Sequence, residues 1–409
     1  MSSAQRGHGP LDGVTVVDLS RVLAGPWATQ VLADLGAEVI KIERPGAGDD
    51  TRSWGPPFAE RADGGRGDAA YFFCANRNKR SVTVDIAVPE GAALVRQLAA
   101  QADVVVENFK VGALKRYGLD YRTLSNLNAR LVYCSITGFG QTGPYSGRAG
   151  YDYMIQAMGG LMSVTGAEDG PPMRAGVAVA DLFSGMYAAS GVLAALYHAA
   201  RTGQGQAVDI SLFEAQAAML ANQAANYFVS GETPRRTGSG HPNLAPYQPF
   251  ETADGAVVLA VGNDGQFRAV CFALGRLELA NDPRFRTNAD RVARRGELEA
   301  LIAPLIAAWP TEAWIRAMEA AGVPCGPINT IDQVFADPQA RARNLVVSQR
   351  RSDLKDEVRT VASPLRLSRT PARAAAPPPA LGADTDRVLG ERLGLAPARL
   401  AALRRAGVI

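Results

Sequence analysis

The sequence predicts an α/β fold, a parallel sheet with helices on its faces. Three observations carry this. Five short runs rich in Val and Ile recur between residues 14 and 136. Stretches with helical spacing lie between them. Gly and Pro punctuate the joints. Strand–helix alternation of this kind gives parallel pairing, with each helix crossing back over the sheet.

VTVVDL at 14–19 is the first strand, and the loop Ser20-Arg21-Val22-Leu23-Ala24-Gly25-Pro26 follows it. Helical spacing runs from Trp27 to Leu35, where Gly36 is placed to end the helix. EVIKIE at 38–43 is the second strand, closed by Arg44-Pro45-Gly46, and a polar, Gly-rich loop covers 49–68. SVTVDI at 81–86 is the third, and Pro89-Glu90-Gly91 opens a helix to Ala102. DVVVEN at 103–108 and LVYCSI at 131–136 complete the five.

Three helices are then predicted, over 152–161, 181–200 and 211–229, with Ala, Gly and Ser permitting close packing. The Gly/Pro-rich segment 231–246, GETPRRTGSGHPNLAP, reads as a hinge or mobile loop. AVVLAV at 256–261 is a strand opening a second region, with helical patterns at 264–274, 295–308 and 311–321. The turn-rich GVPCGPIN at 322–329 leads to a helix and the strand pair VVSQRR and EVRTVA. Pro377-Pro378-Pro379 is an extended linker, and Thr385 to Val408 is helical and amphipathic.

Composition narrows the function classes. Of 409 residues, 47% are hydrophobic and 20% charged, as in an ordinary globular enzyme. The 43 basic residues nearly balance the 40 acidic ones, so no global field attracts nucleic acid. Cys74, Cys134, Cys271 and Cys325 form no CxxC pair, which speaks against a disulfide framework or zinc site and fits a reducing cytosol. His8, His198 and His241 are the only histidines, too few for a His-rich metal site. MSSAQRGHGPLDG lacks a signal pattern, and no uninterrupted apolar run of membrane-spanning length is seen. The expectation is a cytoplasmic protein without metal, nucleic-acid or membrane partners.

In open α/β sheets ligands bind beyond the carboxyl ends of the strands. Ser20 to Gly25, Arg44, Asn108-Phe109 and Thr137 to Gly143 lie there. A loop arginine, an amide, an aromatic ring and Gly-rich backbone suit a nucleotide with phosphates. GFGQTG at 138–143 matches a dinucleotide pattern, but Pro144 follows at once and no helix opens there, so a tight turn lining a pocket is the better reading. Arg44 and Arg116 are candidate phosphate ligands, and Arg21, Arg148 and Arg174 are equal candidates for a substrate carboxylate.

Asp181 stands in GVAVADLFSGM, among small and apolar neighbours. Burial there disfavours the charged form. Such an Asp either caps a helix N-terminus or does chemistry, and residue type alone favours the cap.

The segments LDGVTVVDLSRVLAGP, LGAEVIKIERPGAGDDTR, NKRSVTVD, ADVVVENFKVGALKRYGL, ITGFGQTGPY, GYDYMIQAMGGLMSVTG, GVAVADLFSGMYAASGVLAAL and APYQPFETADG appear in that order. Together they resemble the family III (CaiB/BaiF) CoA-transferases over nearly the whole chain. The resemblance implies a Rossmann-like large domain over 1–230, a smaller α+β domain over 231–330, and a segment over 331–409 returning to the large domain. It also implies an interlocked homodimer. Asp181 falls on the nucleophilic carboxylate. Leu23, Ala24, Arg44, Val84, Asp85, Asn108, Phe109, Arg116 and Tyr151 fall where the family contacts CoA. Gly238, Gly240 and His241 fall in the active-site loop. Coenzyme A thioesters are then substrates, with no permanently bound cofactor and no metal.

Departures sharpen the substrate class. Ala87 replaces a Lys of some formyl-CoA transferases, and GSGHPN replaces their four-glycine loop, which points away from formyl or oxalyl transfer. The related α-methylacyl-CoA racemases have a His where Tyr151 stands, and a neutral phenol is a poor base. HPNLAPYQPFETADG, VGNDGQF and GVPCGPINTIDQVFADPQ resemble the dicarboxylate-handling members. The expectation is CoA transfer from succinyl-CoA to a C4–C6 dicarboxylate through aspartyl anhydride and aspartyl-CoA thioester intermediates. The alternatives are a racemase-like or intramolecular CoA-transfer enzyme, and a non-catalytic acyl-CoA-binding protein.

Overall fold

A computed structural model describes residues 9–409, and His8 lies outside the described residues. The chain divides into two compact units. Of the described residues, the first comprises 9–159, 176–219 and 338–409, and the second 160–175 and 220–337.

The first unit is built on six parallel strands: β1 (Thr15–Asp18), β2 (Glu38–Glu43), β3 (Lys79–Thr83), β4 (Val104–Glu107), β5 (Val132–Thr137) and β6 (Ala207–Ser211). Their order across the sheet is β3-β2-β1-β4-β5-β6. The order reverses between β1 and β4, which opens a crevice at the carboxyl ends of those two strands.

Alternation along each strand feeds two cores. Val16, Val39, Val104, Val106, Val132 and Cys134 face one side and pack with α1 (Ala24–Asp34) and the long helix α4 (Val179–Thr202). Val17, Ile40, Val105 and Tyr133 face the other and pack with α2 (Pro89–Ala100) and the C-terminal residues Val388, Leu389, Leu400 and Leu403. The C-terminal segment therefore completes the sheet's second face. Side chains pin it there: Asn78 Oδ1 accepts the N–H groups of Ala375 and Ala376, and Asp384 accepts that of Ser81.

Three local expectations change. β6 was not expected from sequence: QAVDIS is a half-exposed edge strand whose polar positions hide the apolar run. β3 begins at Lys79 rather than at residue 81, because Lys79 is fully buried and already paired in the sheet. The polar segment 49–68 holds a single 3-10 turn and a short antiparallel pair, Phe58–Glu60 with Arg66–Ala69. In addition, α4 is long and apolar enough, by length and composition alone, to cross a membrane. No unbroken run announced it, since Asp181, Ser184, Ser190 and His198 interrupt the apolar residues, and one face is buried in the core just described.

The second unit has a three-stranded antiparallel sheet, Tyr247–Glu251, Ala256–Ala260 and Cys325–Pro327. Its core gathers Phe250, Phe267, Phe285, Ile302 and Trp314. Arg291 is buried there, lying over the Phe267 ring, donating to Ala245 O and Phe285 O and pairing with Asp264. The segment expected as one helix over 211–229 is broken: Leu212–Met219 is helical, and a second helix starts at Ala221, whose φ is +41°. The two units meet in sequence at that break.

Candidate active site

Two cavities of the first unit lie at the carboxyl ends of the strands. One, of about 370 Å³, is lined by Leu23, Ala24, Asn108, Phe109, Tyr151 and Asp181, among others. The other, of about 280 Å³, is lined by Arg44, Val84, Asp85, Phe109 and Arg116. Arg21, Asp50, Phe109 and Ala113 line both, so the two are lobes of one groove. The candidate CoA contacts from the sequence and Asp181 are thus brought together.

Close backbone approach builds this groove. Gly138 and Gly150 lie back to back, and a Cβ on Gly150 would stand 2.4 Å from Gly138 Cα. That contact holds the chain leaving β5 against the chain entering α3 (Asp152–Met158), which Tyr151 precedes. Gly185 lies one turn beyond Asp181, where a Cβ would meet Ala24 O at 2.7 Å. Glycine there lets α4 reach the start of α1.

Asp181 sits in the first turn of α4. It is not the cap. Asp152 supplies that function from α3: its Oδ1 accepts the N–H of Ala180 at 2.8 Å and of Asp181 at 3.3 Å. Its Oδ2 accepts Gln156 Nε2 at 2.6 Å. The Asp181 carboxylate is left with no donor among the described residues. Burial, and then the nearby Asp152 charge, push its pKa up to about 7. A carboxylate partly shielded from water and without donors is a better nucleophile than a fully solvated one.

The remaining candidates have distinct settings. Asn108 has its amide committed to the turn after β1: Oδ1 accepts the Arg21 N–H at 2.9 Å and Nδ2 donates to Arg21 O at 2.7 Å. Asp85 accepts the Ala87 N–H at 2.9 Å, shaping the loop after β3. Arg44 and Arg116 have no carboxylate partner among the described residues, and Arg116 lies 4.7 Å from the Tyr117 ring. Both line the same lobe, and guanidinium groups are the side chains best suited to phosphate through forked hydrogen bonds. Tyr151 is 68% exposed on the other lobe. Of the three carboxylate candidates, Arg21 pairs with Asp50 at 3.0 Å, and Arg148 lies over the Tyr145 and Phe139 rings in the Asp181 lobe. Arg174 belongs to the second unit.

Gly238, Gly240 and His241 also belong to the second unit. The loop expected as mobile is held there by polar contacts. Arg295 donates to His241 O and to Leu244 O, the latter at 3.1 Å. His241 Nδ1 accepts the Asn243 N–H at 3.1 Å, and its ring centroid lies 5.0 Å from that of Tyr247.

Sequence reasoning missed several groups near the groove. Tyr71, on a one-turn helix, has its phenol pushed up to about 12 by burial and by the Asp181 charge. Asp18, Lys41, Asp49 and Lys79 are ionisable groups buried beneath the turn after β1. A signal existed for one of them: Lys41 interrupts the apolar alternation of EVIKIE. Among the described residues no group of three or more His, Cys, Asp or Glu is placed to hold a metal ion.

The comparisons agree with one another. The family model for CoA-transferase family III matches residues 11–385. The succinate–glutarate CoA-transferase of Agrobacterium fabrum is 53% identical over 386 residues, covering 93% of this chain and 95% of that protein. The succinyl-CoA:glutarate CoA-transferase of Mus musculus is 44% identical over 400 residues, covering 98% of this chain and 90% of that one. A crystal structure of a CaiB/BaiF family protein from Brucella suis is 48% identical, with a TM-score of 0.83, covering 94% of this chain and all (100%) of that one. The groove at the switch point, the unpaired carboxylate above it and these matches lead to one statement: the chain belongs to the family III CoA-transferases and is a CoA-transferase.

Proposed function

We propose that the protein moves CoA from succinyl-CoA to glutarate by covalent exchange on Asp181. The observation that carries this reading is the Asp181 carboxylate, donor-free and with its pKa raised to about 7, lining the groove. The relatives named for succinate or succinyl-CoA and glutarate support the choice of donor and acceptor.

The exchange balances in four displacements. The Asp181 carboxylate attacks the succinyl thioester carbonyl, forming a mixed anhydride and releasing CoA thiolate. The thiolate attacks the aspartyl carbonyl, giving an aspartyl-CoA thioester and succinate. Glutarate attacks that thioester, giving a second anhydride and thiolate. The thiolate then takes the glutaryl group and returns Asp181 as carboxylate. Each step exchanges one activated acyl bond for another, so no hydrolysis is needed. Arg44 and Arg116 are the proposed phosphate ligands, with Leu23, Ala24, Val84, Asp85, Phe109 and Tyr151 along the rest of CoA. Gly238, Gly240 and His241 stay the proposed active-site loop, but no oxyanion role falls to their N–H groups, which are donated to Gly166 O, Thr237 O and Tyr247 O.

The proposal extends to assembly and compartment: an interlocked homodimer in the cytoplasm. Exposed Phe183, Met186, Tyr187 and Tyr197 along α4 and four free cysteines support these two points. Light scattering that gives a monomer mass would remove the first, and recovery of the protein in a membrane or exported fraction would remove the second.

The experiment is a chromatographic acyl-CoA assay with succinyl-CoA and a panel of free acids: glutarate, adipate, mesaconate, itaconate, malate, oxalate, formate and carnitine. Glutaryl-CoA that forms with the wild type and not with Asp181→Asn is the expected result. A different product acyl-CoA replaces the acceptor, and no product with any acid overturns the donor.

A further inference from the structure

We infer that Lys41 and Asp49 are positioning residues for transfer: their buried ion pair holds Val22 in a left-handed turn that presents Leu23 and Ala24 to the cavity of Asp181. This deepens the proposed function and rests on it for the identity of the substrates.

Val22 has φ +69°, a conformation that β-branched residues adopt only when their surroundings impose it. The source of the constraint is visible. The Val22 N–H points at Asp49, 3.2 Å from each carboxylate oxygen. Asp49 is itself fixed, accepting Lys41 Nζ at 2.9 Å, Thr51 N–H at 3.0 Å and Thr51 Oγ1 at 2.7 Å. Lys41 donates a second bond, to Ser20 O at 2.9 Å. One buried ammonium therefore grips the turn twice, directly at Ser20 and through Asp49 at Val22. Neither member of the pair has more than 1% of its side chain exposed.

The rest of the turn is held in the same way. Ser20 donates its N–H to Asp18 at 2.9 Å, and its hydroxyl to the same oxygen. Asp18 in turn meets Lys79 Nζ at 3.1 Å and Thr29 Oγ1 at 2.6 Å. Asn108 brackets the Arg21 peptide from the groove side. Each backbone polar group from Ser20 N to Val22 N is thus bound by a side chain. Helix α1 begins two residues later with no side-chain cap, and Val22, Leu23, Ala24 and Asp181 line one cavity. A turn whose backbone is strained and wholly tied by side chains is a preorganised surface, not a connector.

Glycine adopts positive φ without steric cost, so it supplies at Val22 what the ion pair otherwise enforces. The test compares Asp49→Asn, Val22→Gly and the double variant. It measures kcat and KM for succinyl-CoA at saturating glutarate, KM for glutarate at saturating succinyl-CoA, free-CoA affinity by calorimetry, and the thermal midpoint. Asp49→Asn is expected to lower kcat/KM for succinyl-CoA roughly 10- to 100-fold, with KM for glutarate little changed. Adding Val22→Gly is expected to recover at least about fivefold of that loss per folded enzyme, with a midpoint at or above that of Asp49→Asn, because glycine relieves the left-handed strain at position 22. A double variant no better than Asp49→Asn, or Asp49→Asn with wild-type kcat/KM per folded enzyme, overturns the inference. Should Asp49→Asn not accumulate, Lys41→Arg carries the same comparison, since it keeps the charge and spoils the two-point grip. If the wild type makes no glutaryl-CoA, the acceptor reading fails alone. Free-CoA affinity then decides the turn by the same criterion: loss with Asp49→Asn and recovery with Val22→Gly support it, and no loss or no recovery overturns it.

Discussion

Two carboxylates in the first unit are shielded from water, Asp49 fully and Asp181 in part, and they behave in opposite ways. Burial acts to raise the pKa of Asp49, yet Lys41 and the Thr51 hydrogen bonds outweigh it and hold the group at about 2. Among the described residues Asp181 has neither cation nor donor, and burial with the Asp152 charge takes it to about 7. Desolvation sets the size of the problem and partners set its sign. Asp49 is committed to holding the chain. Asp181 has no structural bond to lose and is free to form a covalent one.

The largest effect that sharpens this contrast is on turnover. Asp181→Asn is expected to lower succinyl-CoA:glutarate exchange by at least roughly a thousandfold while leaving CoA affinity within about threefold. Initial rates by chromatography and CoA titration by calorimetry measure the two. Retained turnover, once peptide mass spectrometry has excluded deamidation back to Asp, would place the nucleophile elsewhere.

Stability breaks the comparison in the other direction. Asp49→Asn takes from buried Lys41 the carboxylate bonded to it, leaving only the more weakly acting Asp18 and Glu43 charges, and is expected to cost about 3 kcal/mol. Asp181→Asn is expected to stabilise at pH 8. A folded pKa of about 7 against 3.8 unfolded corresponds to at most about 4 kcal/mol, at about 1.4 kcal/mol per unit. Denaturant unfolding at pH 8 checks both, and midpoint shifts of the same sign would end the distinction.

The groove's other lobe gives a smaller effect. Arg44→Ala is expected to weaken CoA binding by about 1.5–3 kcal/mol through loss of a charged hydrogen bond. Unchanged affinity would make Arg44 an ordinary surface arginine.

The last effect needs no substitution and is the pH dependence. Asp181 must be ionised to attack, so kcat/KM for succinyl-CoA rises with pH, tenfold per unit below about 7, and flattens above it. The stability signs are opposite. Asp181 has a raised folded pKa, so its destabilising effect is full above about 7 and fades as pH falls toward 3.8. Asp49 has a depressed one, so its contribution is present above 3.8 and is lost as pH falls through about 2. A kcat/KM flat from pH 5 to 8 would remove the raised pKa.

The contrast also explains what the sequence could reveal. Hydrophobic periodicity exposed the strands around Val16, Val39, Val82, Val104 and Val132, because these residues are fully buried and short-range pattern suffices for them. It missed the edge strand at Ala207–Ser211, where one side is open and polar residues are allowed. Asp181 was noticeable as a charge among apolar neighbours, but only the structure shows that Asp152 takes over the capping. Asp49 looked like one more acid in a polar loop. Its function lies in partners eight and twenty-seven residues away, Lys41 and Val22, and no local pattern reports such distances. Asn108 reads as a ligand contact by position, and its amide turns out to be committed to Arg21.

The central claim is that Asp181 carries the acyl exchange covalently. The most direct measurement is an acid quench of the enzyme with succinyl-CoA in the absence of glutarate, followed by peptide mass spectrometry. The account predicts a CoA adduct on the peptide containing Asp181, lost on adding glutarate and absent in Asp181→Asn. An adduct on another peptide, or steady turnover with no adduct at any quench time, would contradict it.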